Sequence, residues 1–244
     1  MVNKNPLNLF FEDIHKNKKQ ITNSNDGKGF EECLRRCLRG VGFDFVGAKE
    51  DETIVDYLKK IKPKVLDTLA TTVLDNELAE LGPKYTNIYI HQPYGSQQFP
   101  DFLVFTTHKI FCLESKYSTS NGNKPVWNSN LPKSNTIYIF GCYEKKDITF
   151  FVGEDILPQN ERVILNKFFS ETTTKLMDDF QNELKEKFKN SEMSFEHGFN
   201  VYIRKAFEQS QVINPNANIN YFDKGREKKE ENVKKFIDLH DVIN

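Results

Sequence analysis

The stretch QQFPDFLVFTTHKIFCLESKYSTSNGNKPVWNSN, Gln97 to Asn130, decides how the chain is read. Its two apolar runs, DFLVF and KIFCLESKY, are rich in β-branched and aromatic residues and are parted by Thr107-His108, so they read as the strands of a hairpin. Strand interiors usually hold packing residues. Here Asp101 opens the first strand, while Glu114 and Lys116 close the second, with twelve residues between Asp101 and Glu114. A turn centred on 107–108 sets Asp101 opposite Glu114. Glu114 and Lys116, two apart, share a face, and Ser115 points to the other. The spacing predicts two carboxylates and an ammonium at one end of a sheet.

Working outward, NIYIHQPY from Asn87, TIYIFGCY from Thr136 and ITFFVGEDI from Ile148 add three more short strands, with Glu144-Lys145-Lys146-Asp147 as a turn. Upstream, GKGFEECLRRCLRG carries Phe30, Cys33, Leu34, Cys37, Leu38 and Val41 at helical spacing, and Gly40 and Gly42 supply its stop. From Asp51 to about Leu81 the pattern is helical, with Pro63 expected as a break between two helices and Gly82-Pro83 as the end. After about Glu161 helices return: Leu176, Met177, Phe180, Leu184 and Phe188 keep one face, FNVYIRKAF fits helix or strand, NPNANIN is a loop, and GREKKEENVKKFIDLHDVIN is a charged terminal helix. The order predicts an α/β fold around one mixed sheet of five strands flanked by helices, as a single domain with a core over about 27–157 and a helical elaboration over about 158–244.

The composition narrows the possible partners. With 34 basic and 35 acidic residues the net charge is −1, so an anionic partner needs a local basic patch. Twenty-one Phe and 9 Tyr supply a core. The four cysteines, Cys33, Cys37, Cys112 and Cys142, form no CxxC pair and sit in apolar patterns, and His91, His108 and His197 lack ligand spacing, so a zinc or HNH site is disfavoured. The amino-terminal stretch lacks the apolar segment of a signal peptide, and no apolar run reaches the roughly 20 residues of a membrane span. A cytoplasmic protein without membrane contact is expected.

Two carboxylates forced together repel unless a cation lies between them. A hard divalent ion such as Mg²⁺ suits one or two carboxylates, with water and phosphate oxygens completing its shell. Such an ion activates water and neutralises charge in a phosphate displacement, while Lys116 can orient or help deprotonate the water or stabilise the phosphate. The competing reading is a surface hairpin with a Glu114–Lys116 or Asp101–Lys116 ion pair.

Pro100-Asp101 followed by Glu114-Ser115-Lys116 resembles the PD-(D/E)xK nuclease superfamily, over about residues 27–157. The resemblance implies a restriction-endonuclease-like αβββαβ core, Mg²⁺ (with Mn²⁺ able to substitute), Asp101, Glu114 and Ser115 as the metal set, Lys116 as catalytic partner, and an auxiliary acid from the preceding helix, for which Glu31 is the positional candidate. The alternative for Glu31 is an i,i+4 pair with Arg35. Size and the Asn- and Lys-rich insertion look most like a type II restriction endonuclease, implying double-stranded DNA as partner, a homodimer cutting both strands, and a cognate DNA methyltransferase.

The insertion supplies candidate DNA contacts. Asn121, Asn123, Asn128 and Asn130 can read base edges, Lys124 and Lys133 can meet phosphates, Trp127 can stack, and Tyr117, Ser118, Gln97 and Gln98 border the site. The plain alternatives are a solvated loop with Trp127 as a packing plug and, for Arg35, Arg36 and Arg39, a solvated helix edge. Two rival functions remain at this level: a structure-specific repair or resolvase-type nuclease, and a non-catalytic DNA- or protein-binding module.

Overall fold

The computed structural model describes residues 4–67, 73–127, 131–188, 207 and 218–241. The first element is a helix that the sequence reading left unassigned, α1 (Pro6–Lys16). Pro6 opens it, where a missing N–H costs nothing, and the Asn5 side chain accepts from Leu7 N at 2.9 Å. A short α2 (Lys18–Ile21) leads to α3 (Gly27–Gly40), whose first turn is capped by Asp26, and Gly42 takes a positive φ just beyond its end.

Next come a two-residue strand β1 (Asp44–Phe45), α4 (Glu52–Val65) and another two-residue strand β2 (Leu74–Asp75). The expected break at Pro63 does not occur. Pro63 lies in the last turn of α4, where the carbonyl it leaves unbonded belongs to exposed Lys59, and Ile54, Tyr57, Leu58, Ile61 and Val65 form one buried stripe through it. The second helix expected before Gly82 is replaced by β2 and a 3₁₀ turn at Glu77–Leu81.

The remaining strands are β3 (Ile88–His91), β4 (Phe102–Phe105), β5 (Lys109–Ser118), β6 (Ile137–Cys142) and β7 (Asp147–Val152). They form one mixed sheet in the order β1-β3-β4-β5-β6-β7, with β2 on β5, so the sheet has seven strands rather than five. The pairs β1–β3 and β5–β6 are parallel and the others antiparallel. Two-residue strands are too short to carry a readable alternation, which is why periodicity missed them.

The β4–β5 ladder pairs Phe102 with Leu113 and Phe105 with Ile110. Continued by one position, it puts Asp101 beside Glu114, the register anticipated from the turn. β4 stops there because Pro100 has no N–H to give. β5 runs on for five more residues and exchanges its partner, pairing Leu113 to Ser118 with Ile137 to Cys142 of β6. The connection from β5 to β6 has no helix among the described residues, although parallel neighbours are usually joined through one.

Three helices cover one face of the sheet. Leu7, Phe10, Phe11 and Ile14 of α1, with Phe30, Leu34 and Leu38 of α3, pack on Val104, Phe111, Leu113, Ile139 and Phe150. Val233 and Ile237 of the last helix, α7 (Arg226–His240), which follows α5 (Gln159–Lys167) and α6 (Thr174–Phe188), join them. Gly141 makes this packing possible: a Cβ there would lie 2.6 Å from the Phe30 ring.

The opposite face is covered by α4 over β3, β4 and β5, and by Trp127 and Tyr221 over Tyr138, Phe140 and Phe151 near the β6–β7 edge. α5 and α6 are joined through a π-helical stretch, Phe168–Thr173. The expected apolar face forms a helix, but its Leu176 and Phe180 are exposed. FNVYIRKAF, apart from Phe207, and the first four residues of NPNANIN lie outside the described residues. Among the described residues no helix is long and apolar enough to cross a membrane.

Candidate functional site

Where β4 ends, β5 loses its backbone partner on that side while keeping β6 on the other, and side chains take over the pairing. Ser115 N and Oγ donate to Asp101 Oδ2 at 2.8 and 2.7 Å, and Asp101 N donates to Glu114 Oε2 at 3.1 Å. On the same side of β5, Lys116 Nζ donates to Glu114 Oε1 at 2.8 Å. Asp101, Glu114 and Lys116 thus meet at one sheet end, and Ser115 holds Asp101 rather than standing beside it. Both Glu114 oxygens are engaged; Asp101 Oδ1 receives no hydrogen bond from any described residue.

Glu31 enters from α3. Its Oε2 accepts from His91 Nε2 at 2.8 Å and from Gln92 Nε2 at 3.3 Å, both at the end of β3. The expected i,i+4 pairing with Arg35 is absent: Arg35 instead holds Glu32 at 2.6 Å. His91 is a member of this constellation that sequence reasoning missed; Gln92, upstream of Asp101 with Gln97 and Gln98, falls at the edge of the site in the sequence as well. A single histidine at a strand end has no spacing signature, and the only hint was its place nine residues before Pro100, where the strand gives way to the segment leading to Asp101. Gln92 continues the pairing, donating its N–H to Asp101 O at 2.7 Å, with φ at +49°.

The charges are out of balance. Burial pushes the Asp101 carboxyl up to about 7, and the negative charges of Glu114 and Glu31 push the same way against the two Ser115 hydrogen bonds. For Lys116 burial works against the ammonium, but Glu114, then Asp101 and Glu31, outweigh it and raise its pKa. A local excess of hard carboxylate oxygens, one of them unused, fits a divalent cation of the Mg²⁺ kind. Among the described residues no three His, Cys, Asp or Glu side chains form a cage by themselves, so water and ligand oxygens would have to complete the shell.

The candidate DNA contacts divide. Gln97, Gln98, Asn121 and Lys124 are exposed on the two loops that leave this end of the sheet, and Asn123 is half-buried, its carbonyl accepting from Tyr221 N at 2.8 Å. Asn128 and Asn130 lie outside the described residues. Ser118 Oγ donates to Ser120 O at 3.0 Å.

Three expected contacts are placed inside the fold instead. Tyr117 stacks on Phe30 and donates its hydroxyl to Thr22 O and Ser24 O. Trp127, 4% exposed, packs edge-on against Tyr138, with the Lys116 ammonium 5.8 Å from its ring. Lys133, 3% exposed, donates to Asp67 O, and burial lowers its pKa to about 8. The described parts of the polar insertion lie back on the sheet because Trp127 and Leu131, with Lys133's stem, cover strand surface that no helix among the described residues covers. No protein-family model matches the chain, and no curated protein or solved structure shows significant similarity to it.

Proposed function

We propose that this chain is a Mg²⁺-dependent DNA endonuclease of the PD-(D/E)xK kind, cutting double-stranded DNA at a specific sequence. The observation that carries the reading is the end of the β4–β5 hairpin, where Asp101 and Glu114 are held side by side with Lys116 on Glu114 and an Asp101 oxygen unused. A surface ion pair would not need a second, half-buried carboxylate whose pKa is driven up by desolvation and by its acidic neighbours.

On this reading Asp101 and Glu114 hold the cation, and Ser115 fixes the Asp101 carboxylate by its N–H and hydroxyl. The cation, when bound, supplies charge neutralisation at the scissile phosphate and a more acidic water. Lys116, held on Glu114, presents a positive charge to the phosphate as it gains negative charge or helps orient and deprotonate the water. Gln97, Gln98, Asn121 and Lys124 line the approach. By the same resemblance two copies would cut both strands, with a cognate methyltransferase as the genetic partner.

Incubating the purified protein with plasmid and phage DNA, with Mg²⁺, Mn²⁺ or EDTA, tests this. Discrete fragments are expected only with a divalent ion, and both Asp101→Ala and Lys116→Ala should slow cleavage about a thousand-fold or more. A Lys116→Ala protein that cuts at the wild-type rate would sink the assignment. The burial of Trp127 and Lys133 takes a stacking and a phosphate contact away from the insertion, and a smaller DNA-facing surface favours a second reading, a structure-specific nuclease using the same site. Cleavage confined to branched or mispaired substrates would select it.

A further inference from the structure

Glu31 lies among charges of both signs: the Asp101 carboxylate opposes it and the Lys116 ammonium draws it. Four residues on along α3 is Arg35, which holds Glu32 at 2.6 Å and has its Nε buried without a hydrogen-bond partner. A glutamate on a helix surface with a cation at i+4 is stabilised by turning toward it. This one turns to the end of β3 instead, with a side chain 17% exposed.

The holding groups come from β3. A carboxylate only accepts, so His91 Nε2 carries the proton of the 2.8 Å bond to Glu31 Oε2. The imidazole is 20% exposed and lies against the Phe102 ring at 5.0 Å, which fixes its plane. Gln92 adds a second donor at 3.3 Å, from a backbone held at φ +49°, a region unfavourable to a non-glycine residue that persists only where the surroundings impose it. Both donors go to Oε2, which leaves Oε1 without a hydrogen bond from the described residues.

We propose that His91, supported by Gln92, is a positioning residue of the cation site: it fixes the Glu31 carboxylate at the end of β3 against the repulsion of Asp101, so that a third negative charge contributes to cation affinity. This rests on the nuclease reading of the site. Groups that orient a metal-site carboxylate typically account for 10- to 100-fold in metal affinity.

The experiment is Mn²⁺ binding to the full chain without DNA, read by electron paramagnetic resonance, for wild type, His91→Leu, His91→Gln and Glu31→Gln, with thermal unfolding in EDTA alongside. His91→Leu should weaken Mn²⁺ binding about tenfold, close to the effect of Glu31→Gln. His91→Gln, whose amide can donate to Glu31, should recover most of the affinity. Unfolding midpoints of His91→Leu and His91→Gln should stay close together, so that the difference in affinity is not one of folding. Wild-type affinity in His91→Leu overturns the inference and leaves the cation site standing, as does equal loss in His91→Leu and His91→Gln. Absence of saturable Mn²⁺ binding in the wild type overturns the nuclease reading itself, and the inference with it.

Discussion

Arg162 is a buried charged group and Asp101 a half-buried one, and their hydrogen-bonding capacity is filled to different degrees by the described residues. Arg162, on α5 and 0% exposed, donates to Pro132 O, to Ser134 Oγ at 2.9 Å and to Leu157 O, with Glu154 at 3.6 Å. It closes the end of the β5–β6 connection onto the corner that follows β7, and its donors are taken up by the chain itself. Asp101 has two donors on one oxygen and none on the other, and two further acids nearby. A buried charge completed by its own chain fastens the structure. One left incomplete costs stability until something from outside completes it. The difference separates a clamp from a candidate site.

The largest effect expected from breaking this comparison is at the clamp. Arg162→Met keeps much of the volume but strips the acceptors at Pro132, Ser134 and Leu157 of their donor, and should lower the unfolding free energy by about 3 kcal/mol in denaturant titration. A loss below about 1 kcal/mol would mean that the clamp is hydrated and that the contrast with Asp101 is false.

Asp101→Asn should do the reverse. The folded pKa of Asp101, about 7, lies above its ordinary value, so the folded state resists ionisation. That cost is absent below about pH 4, grows through the interval and is complete above about pH 7. In EDTA the variant should therefore melt higher than wild type at about pH 8, by a few degrees, with the advantage fading toward pH 4. Equal melting of the two proteins at both pH values would refute the charge imbalance at the site.

The smallest expected effect is none. Lys133→Met removes a lysine whose ammonium is turned inward over the Phe99 ring at 4.6 Å. DNA affinity should change less than about twofold, and the slope of log affinity against log salt should stay the same. A phosphate contact at Lys133 would reduce that slope by about 1.

What was legible in the sequence was whatever neighbouring residues settle among themselves. Alternation and the short turn at Thr107-His108 were enough for the β4–β5 register, and hence for Asp101 opposite Glu114. The apolar spacing of Phe30, Leu34 and Leu38 was enough for α3. The errors fell where distant packing overrode a local signal. Pro63 reads as a break until α4's buried stripe is seen to pass through it. Trp127 and Lys133 read as parts of a solvated loop because Asn, Ser and Pro surround them, yet the loop covers the sheet.

By itself the sequence determined which charged groups the hairpin carries and at what spacing, because strand period and turn length act over a few residues. Tertiary structure alone decided which groups join them. Glu31 and His91 are 60 residues apart, and they meet because Gly141 lets Phe30 close on β6 and seats α3 against the sheet beside the end of β3. Arg35 stands four residues from Glu31 on the same helix, and local rules pair them. Packing across the sheet, which no local rule contains, gave Glu31 a donor on β3 and turned it away from Arg35.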